Sequence, residues 1–170
     1  MESYKLKEFM HKVFLGIGGN LGNKSENFEK VIGLIENNLG KVVQASSIYE
    51  TPPWGFHAEE NFWNQILIVE SKLTPNELLD KIHSIEKEFG RKRKKKNYSS
   101  REMDIDILYF DDIFTESDEL IIPHPHISKR LFVLVPLAEI APDFKHPLFR
   151  LTSIQMLDNC KDKSVIKKIE

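Results

Sequence analysis

The 170-residue chain is predicted to fold as one α+β domain on a ferredoxin-like βαββαβ plan, and three observations point there. Short apolar or β-branched runs alternate with two amphipathic helical stretches. The turn and cap signals between these segments are sharp. No repeat, low-complexity stretch or linker divides the chain.

The elements follow in order. Residues 13–17 (VFLGI) form an apolar run that stops at Gly18-Gly19-Asn20, which reads as a buried strand ending in a turn. Phe28, Val31, Ile32, Ile35 and Leu39 then recur at helical spacing, with Asn23 or Ser25 able to cap the start and Gly40 closing the end. Residues 41–50 (KVVQASSIYE) have a β-rich composition, and residues 62–69 (FWNQILIV) make a second strand beyond the loop TPPWGFHAEEN; together they read as a hairpin with a long connection. Thr74-Pro75-Asn76-Glu77 is a capping box with proline at the first helical position. Leu78, Ile82, Ile85 and Phe89 form the helix's apolar face, and Gly90 ends it. Residues 91–101 (RKRKKKNYSSR) carry seven basic side chains and no acid, so they are expected as a solvated loop before a strand over 103–110. After an Asp111-Asp112 turn, residues 120–122 read as a short edge strand, PHPH as irregular, and 127–140 as helix broken near Pro136. Residues 1–12 are expected to be an N-terminal extension and 13–170 the single domain.

Composition narrows the classes of partner. With 41% hydrophobic residues, eleven of them Phe, the chain can bury a real core. A net charge of −2 gives no global reason for nucleic acid or an anionic membrane as partner. The single cysteine, Cys160, excludes an intramolecular disulfide, and MESYKLKEFMHK lacks the apolar run of a signal peptide, so a cytoplasmic setting is expected. Apolar runs such as 131–137 fall far short of the roughly 20 residues a bilayer needs. No long apolar stripe is left over, and a monomer is expected.

The chemistry concentrates in REMDIDILYF, residues 101–110. Strand side chains alternate, so Asp104 and Asp106 project from one face about 6.6 Å apart, with Leu108 continuing that face and Ile105 and Ile107 on the other. Two carboxylates at that spacing repel by about 2.5 kcal/mol at an effective dielectric near 20. Against a total stability of about 5 to 15 kcal/mol, this demands a compensating cation unless the face is simply wet, and both readings stand on spacing alone. Oxygen-only ligands on rigid backbone suit Mg²⁺, which takes its remaining ligands from water and substrate phosphate. An EF-hand is excluded, because no turn glycine follows. The basic run just before the pair starts Arg91, Arg93 and Arg101 within reach of a phosphate bound there, and a guanidinium can grip phosphate oxygens in bidentate fashion.

Other features read ambiguously. GGNLGNKS, residues 18–25, lies where a phosphate-binding loop would, but Asn23 replaces the glycine that should precede Lys24. Gly16-x-Gly18 fails as a dinucleotide fingerprint because Leu21 stands at the third glycine position. Those glycines are better explained by close approach to another backbone. Glu86 falls on the apolar face of its helix, either at the boundary or in a pairing or ligand-binding role. His124, held between prolines, is either a presented imidazole or an exposed loop histidine.

Taken together, YETPPWG (49–55), NFWNQILIVES (61–71), IEKEFGRKRKKKNYSSREMDIDILYF (85–110) and PHPHISKRLFVLVPLAEIAP (123–142) resemble the 6-hydroxymethyl-7,8-dihydropterin pyrophosphokinase family of folate biosynthesis. The resemblance implies transfer of pyrophosphate from the co-substrate ATP to the pterin's hydroxymethyl group with release of AMP. It also implies a three-layer αβα sandwich with an antiparallel sheet, and two Mg²⁺ ions held by Asp104 and Asp106. Carried over residue by residue, Thr51, Pro53, Trp54 and Asn64 line the pterin pocket, with Phe62 and Phe132 sandwiching its ring. Glu86, Arg91, Arg93, Tyr98, Arg101, Ile107, His124 and Arg130 hold ATP. Arg91, Arg93, Arg101, Asp104 and Asp106 form the catalytic set. Lys24 receives no role. Tyr98-Ser99-Ser100 stands where many members have Trp-Gly-Pro, and His126 where an arginine is common. TPPWGFHAEE and the basic loop border the site and are expected to close over it. Competing readings are an RNA-binding ferredoxin-like module acting through RKRKKK, and a P-loop kinase in which Lys24 is essential.

Overall fold

A computed structural model of the chain describes residues 9–90 and 99–169. The elements are β1 (His11–Gly19), α1 (Lys24–Asn38), β2 (Lys41–Ala45), β3 (Ile48–Thr51), β4 (Phe62–Ser71), α2 (Pro75–Glu88), β5 (Asp104–Phe110), β6 (Thr115–Glu116), β7 (Ile121–Ile122), α3 (Leu131–Ile140), α4 (Ser153–Asn159) and β8 (Lys167–Ile169). A 3₁₀ turn, Ile127–Lys129, leads into α3. The main sheet runs β5-β1-β4-β3-β8, with β2 also on β4, and every pairing is antiparallel. This is the βαββαβ order expected from the sequence, with the first hairpin arm divided in two.

Alternation along the strands builds a core on each face. Val13, Leu15 and Ile17 of β1, Leu67 and Val69 of β4, and Ile105 and Ile107 of β5 pack against Phe28, Val31 and Ile35 of α1 and Leu78, Ile82 and Ile85 of α2. On the opposite face Phe14, Ile66, Ile68, Leu108 and Tyr109 meet Val133, Leu134 and Leu137 of α3 and Met156 of α4. The result is the three-layer αβα sandwich. In β5 the register with β1 shifts after Phe14, making Leu108 the additional residue of a bulge. Leu108 and Tyr109 therefore share a face, and Phe110 returns to the α1/α2 side.

The caps lie where the sequence places them. Asn23 accepts the Glu26 N–H at the start of α1, and Thr74 and Glu77 close a reciprocal capping box on α2. A Cβ at Gly40 would stand 2.1 Å from the Glu70 carbonyl oxygen, so this residue is fixed by close approach as well as by its φ of +151°.

Five features differ from the sequence reading. The first hairpin arm is interrupted at Ser46, whose hydroxyl accepts the Ile66 N–H (2.9 Å) in place of a ladder carbonyl. Pro136 does not break α3 but sits buried within it. It removes one N–H from a short helix whose Val133, Leu134 and Leu137 are packed on the sheet, and that burial outweighs the loss of the bond. Residues 121–122 pair with β6 in a separate two-stranded sheet instead of edging the main one. The C-terminal β8, pairing with β3, has no apolar alternation to announce it. At the other end β1 starts at His11, opposite Ser71, two residues inside the stretch read as an extension.

Candidate active site

The ends of β1, β4 and β5 meet on the α3 side of the sheet, where Gly18 lies between Asn64 and Asp104 and Gly16 next to Asp106. The two glycines leave room over the sheet, and a cavity of about 560 Å³ fills it. Its wall brings together Thr51, Trp54, Phe62, Asn64 and Phe132 with Arg101, Asp104, Asp106, His124 and Arg130. Ten of the side chains singled out in the sequence thus converge from five separate stretches of chain.

One side of the cavity is acidic and cationic. Asp104 and Asp106 are half-buried on the same face, as strand alternation requires. The Arg101 guanidinium donates from Nη1 to Asp104 Oδ2 (2.8 Å) and from Nε to the Ser99 carbonyl (3.0 Å), which supplies the compensating cation that two neighbouring carboxylates need. Among the described residues no group of three or more His, Cys, Asp or Glu side chains is placed to hold a metal ion. A cation at the pair would therefore fill its remaining positions with water and phosphate oxygens, which is the donor set Mg²⁺ accepts.

His124 is fixed at both ends. Its N–H donates to the Leu108 carbonyl (3.0 Å), and its Nδ1 accepts the His126 N–H (3.1 Å). Burial, followed by the nearby Arg130 and His126 charges, pushes its pKa down to about 4 against an opposing pull from Asp104. The neutral ring therefore carries its proton on Nε2 and is a donor there. His126, also on the wall, is likewise held below the ordinary imidazole range, by burial first and then by Arg130 and Lys129.

The other side is aromatic with one amide. Asn64 donates from Nδ2 to Thr51 Oγ1 (2.9 Å), which orients the amide and leaves its carbonyl oxygen toward Gly18. Phe62 meets Phe56 edge to face at 5.9 Å. The buried Arg130 places its guanidinium carbon 4.8 Å over the Trp54 ring and 5.4 Å over the Phe132 ring.

The remaining candidates fall elsewhere. Arg91, Arg93 and Tyr98 lie outside the described residues, as does most of the basic loop. Pro53 is not on the wall; its neighbour Pro52 is. The Ile107 side chain belongs to the α1/α2 core, on the opposite face from the carboxylates. Glu86 is buried on α2, where its carboxylate accepts the Ile105 N–H (3.0 Å) beside β5 and off the cavity wall. Lys24 is also off the wall, donating to the Asn61 carbonyl and lying over the Trp63 ring, so GGNLGNKS is a turn and not a phosphate loop.

Sequence reasoning missed Asn20. It is fully buried and donates from Nδ2 to the Glu60 carbonyl (3.2 Å) and to Ser100 Oγ (3.0 Å), while its Oδ1 accepts the Arg101 N–H (2.9 Å). One amide thereby ties Glu60, in the loop before β4, and Ser100-Arg101 to the end of β1. Its partners lie 40 and 80 residues away, beyond any spacing rule. Gly19 shares this role, since a Cβ there would come within 2.1 Å of the Glu102 carbonyl oxygen.

Residues 14–142 match the family model of 7,8-dihydro-6-hydroxymethylpterin-pyrophosphokinase, HPPK. The chain belongs to the HPPK family. It is 41% identical over 141 residues to the 2-amino-4-hydroxy-6-hydroxymethyldihydropteridine pyrophosphokinase of Aquifex aeolicus, covering 83% of this chain and 87% of that one. The protein of the same name from Bacillus subtilis is 38% identical over 128 residues, covering 75% and 76%. The HPPK fold extends to solved structures: wild-type HPPK-DHPS of Plasmodium falciparum superposes with a TM-score of 0.73 over 89% of this chain at 17% identity. This chain spans 45% of that longer one, and at such identity the likeness concerns the fold. No helix among the described residues is long and apolar enough to cross a membrane.

Proposed function

We propose that the protein is a pyrophosphokinase of folate biosynthesis, moving the β,γ-diphosphoryl unit of ATP onto the hydroxymethyl group of 6-hydroxymethyl-7,8-dihydropterin and releasing AMP. The observation that carries this reading is the shared cavity: an HPPK-family chain folds so that two carboxylates and an arginine face an oriented amide and aromatic rings across a single space. ATP and the reduced pterin are its substrates.

Asp104 and Asp106 would hold Mg²⁺, two ions by family resemblance, and the bound cation would neutralise phosphate oxygens during in-line displacement at the β-phosphorus. The protein's own residues do the rest. Arg101 trades its bond with Asp104 for phosphate oxygens, where a planar guanidinium stabilises charge growing on the transferred group. His124, neutral with Nε2–H as donor, offers a hydrogen bond to the nucleotide without adding charge. Asn64, pinned by Thr51, matches the donor-acceptor edge of the pterin, and Phe62 and Phe132 stack on its ring. Arg130 reaches the phosphates by leaving the Trp54 face, and Trp54 then joins the pterin pocket. Ile107 contacts nucleotide through its main chain on the outermost strand β5, and Glu86 supports that strand from behind. Arg91, Arg93 and Tyr98 complete the ATP contacts on the basis of sequence resemblance, and Pro53 shapes the pterin loop through Pro52. The TPPWGFHAEE loop and the basic loop close over the substrates and exclude water. The enzyme acts as a monomer in the cytoplasm, from a single domain that includes β1 from its start at His11.

The test is direct. Purified protein is incubated with ATP, Mg²⁺ and the reduced hydroxymethylpterin, and nucleotide products are separated. Pterin-dependent AMP is expected; ADP in its place, or AMP formed equally without pterin, would overturn the reading.

A further inference from the structure

The family model ends at Pro142, yet the chain beyond it returns to the cavity. Helix α3 carries one wall: Arg130 is its N-cap residue and Phe132 lies in its first turn. Arg130 makes no side-chain capping bond, since its guanidinium is turned over Trp54 and Phe132. The Leu131 N–H is one of the donors that every helix start leaves without an intrahelical partner. It is taken by a side chain 31 residues away: Asp162 Oδ2 accepts it at 3.1 Å. Asp162 is itself oriented, because its Oδ1 accepts the Ser164 N–H (2.9 Å) and the Ser164 hydroxyl. The carboxylate also stands at the positive end of the helix dipole. Burial pulls its pKa up, but the bonds from Ser164 and Leu131 outweigh this and keep it below the ordinary range, so it is charged at neutral pH. Just downstream, β8 pairs Lys167 with Glu50 and Lys168 with Tyr49 of β3, the strand that ends in Thr51 on the same side of the cavity. The tail therefore braces two elements of that side, α3 and β3.

We propose that Asp162 is a positioning residue for substrate binding: by capping α3 from the C-terminal segment it fixes the direction in which Arg130 and Phe132 enter the cavity. The proposal rests on the pyrophosphokinase reading and adds a residue from outside the family model. Asp162 touches no reacting atom and acts only through the first turn of α3.

The test compares wild type, Asp162→Ala, Asp162→Asn and Ser164→Ala. KM for each substrate and kcat per active site are read from AMP formation, and amide hydrogen exchange across residues 130–134 is measured without substrate. Asp162→Ala is expected to raise KM by about fivefold or more with kcat changed less than about threefold, and to lose protection at the Leu131 amide. Asp162→Asn keeps an acceptor oxygen and should restore both to within about twofold of wild type. Ser164→Ala, which leaves the cap but frees the carboxylate to turn, should fall between them and keeps the test alive if the alanine variant folds poorly. A lowered melting temperature with KM unchanged would mean a purely structural cap and overturn the proposal. Failure of Asn to rescue would overturn it too, since charge and not the hydrogen bond would then be acting. If wild type makes no AMP, the functional reading falls; the exchange data then decide separately whether Asp162 holds the turn, and unchanged protection in Asp162→Ala refutes it.

Discussion

Asp104 and Asp106 tolerate one another because Arg101 is bonded to the first of them, and this arrangement sets what each substitution should do. On the proposed reading, removing either carboxylate deletes an oxygen that would hold the cation, while also relieving repulsion. Asp104→Ala is expected to lower AMP formation by about two orders of magnitude or more while the folded state is retained. Lys24→Ala, which loses only a bond to the Asn61 carbonyl and a contact with Trp63, should stay within a few-fold. The reverse ranking, read in the same AMP assay, would restore the P-loop alternative. His124 yields a second residue-scale expectation. Its folded-state pKa of about 4 lies below the ordinary 6.5, so the unfolded chain binds more protons between those values. The stability tied to the neutral ring is complete above pH 6.5 and is lost as pH falls toward 4, by at most about 1.4 kcal/mol per pH unit. Urea unfolding of the ligand-free protein at pH 7, 6 and 5 should show a steeper decline for wild type than for His124→Gln; parallel declines would count against it.

At the scale of elements, local chemistry and tertiary packing divide the work. The ends of α1 and α2 are set by residues within four positions of each other, so Asn23, Thr74 and Glu77 announce them in the sequence. Thr74→Ala should cost about 1 kcal/mol by denaturant unfolding, with AMP formation within twofold of wild type, because that cap is not part of the cavity wall. A loss of activity matching the loss of stability would instead tie α2 to catalysis. Helix α3 follows another rule. Its cap comes from Asp162, and its internal Pro136 is tolerated because the apolar face is pressed on the sheet. A one-dimensional reading that weighs proline as a breaker places the break where packing has removed the penalty. The same holds for β8, whose two lysines mark it as solvated tail until it is paired with β3.

For the whole molecule, the cavity lies where the α3 layer, the open end of the sheet, the loop after β3 and Arg101 meet, so its ligands should stabilise the folded state as a unit. Binding confined to that state contributes about 2.7 kcal/mol when ligand is present at 100 times its dissociation constant. For a chain of this length that corresponds to about 5 to 10 °C in melting temperature. ATP with Mg²⁺ is expected to give such a shift by calorimetry or fluorescence, and a chelator should abolish most of it. A shift that survives chelation would mean that nucleotide binds without the carboxylate pair.

The sequence by itself determined the strand and helix periods, the two N-terminal helix caps, the one-faced carboxylate pair and, through its motifs, the HPPK resemblance. These depend on alternation, on caps a few residues apart, or on residue types in a fixed local order, all of which a linear chain displays. Only the tertiary structure decided which of those residues share a cavity. It put Glu86 to work on the Ile105 N–H and gave Asn20 and Asp162 partners 31 to 81 residues distant. The reason is physical: a hydrogen bond or a packed face depends on distance in space, and folding brings together residues whose separation along the chain leaves no pattern to read.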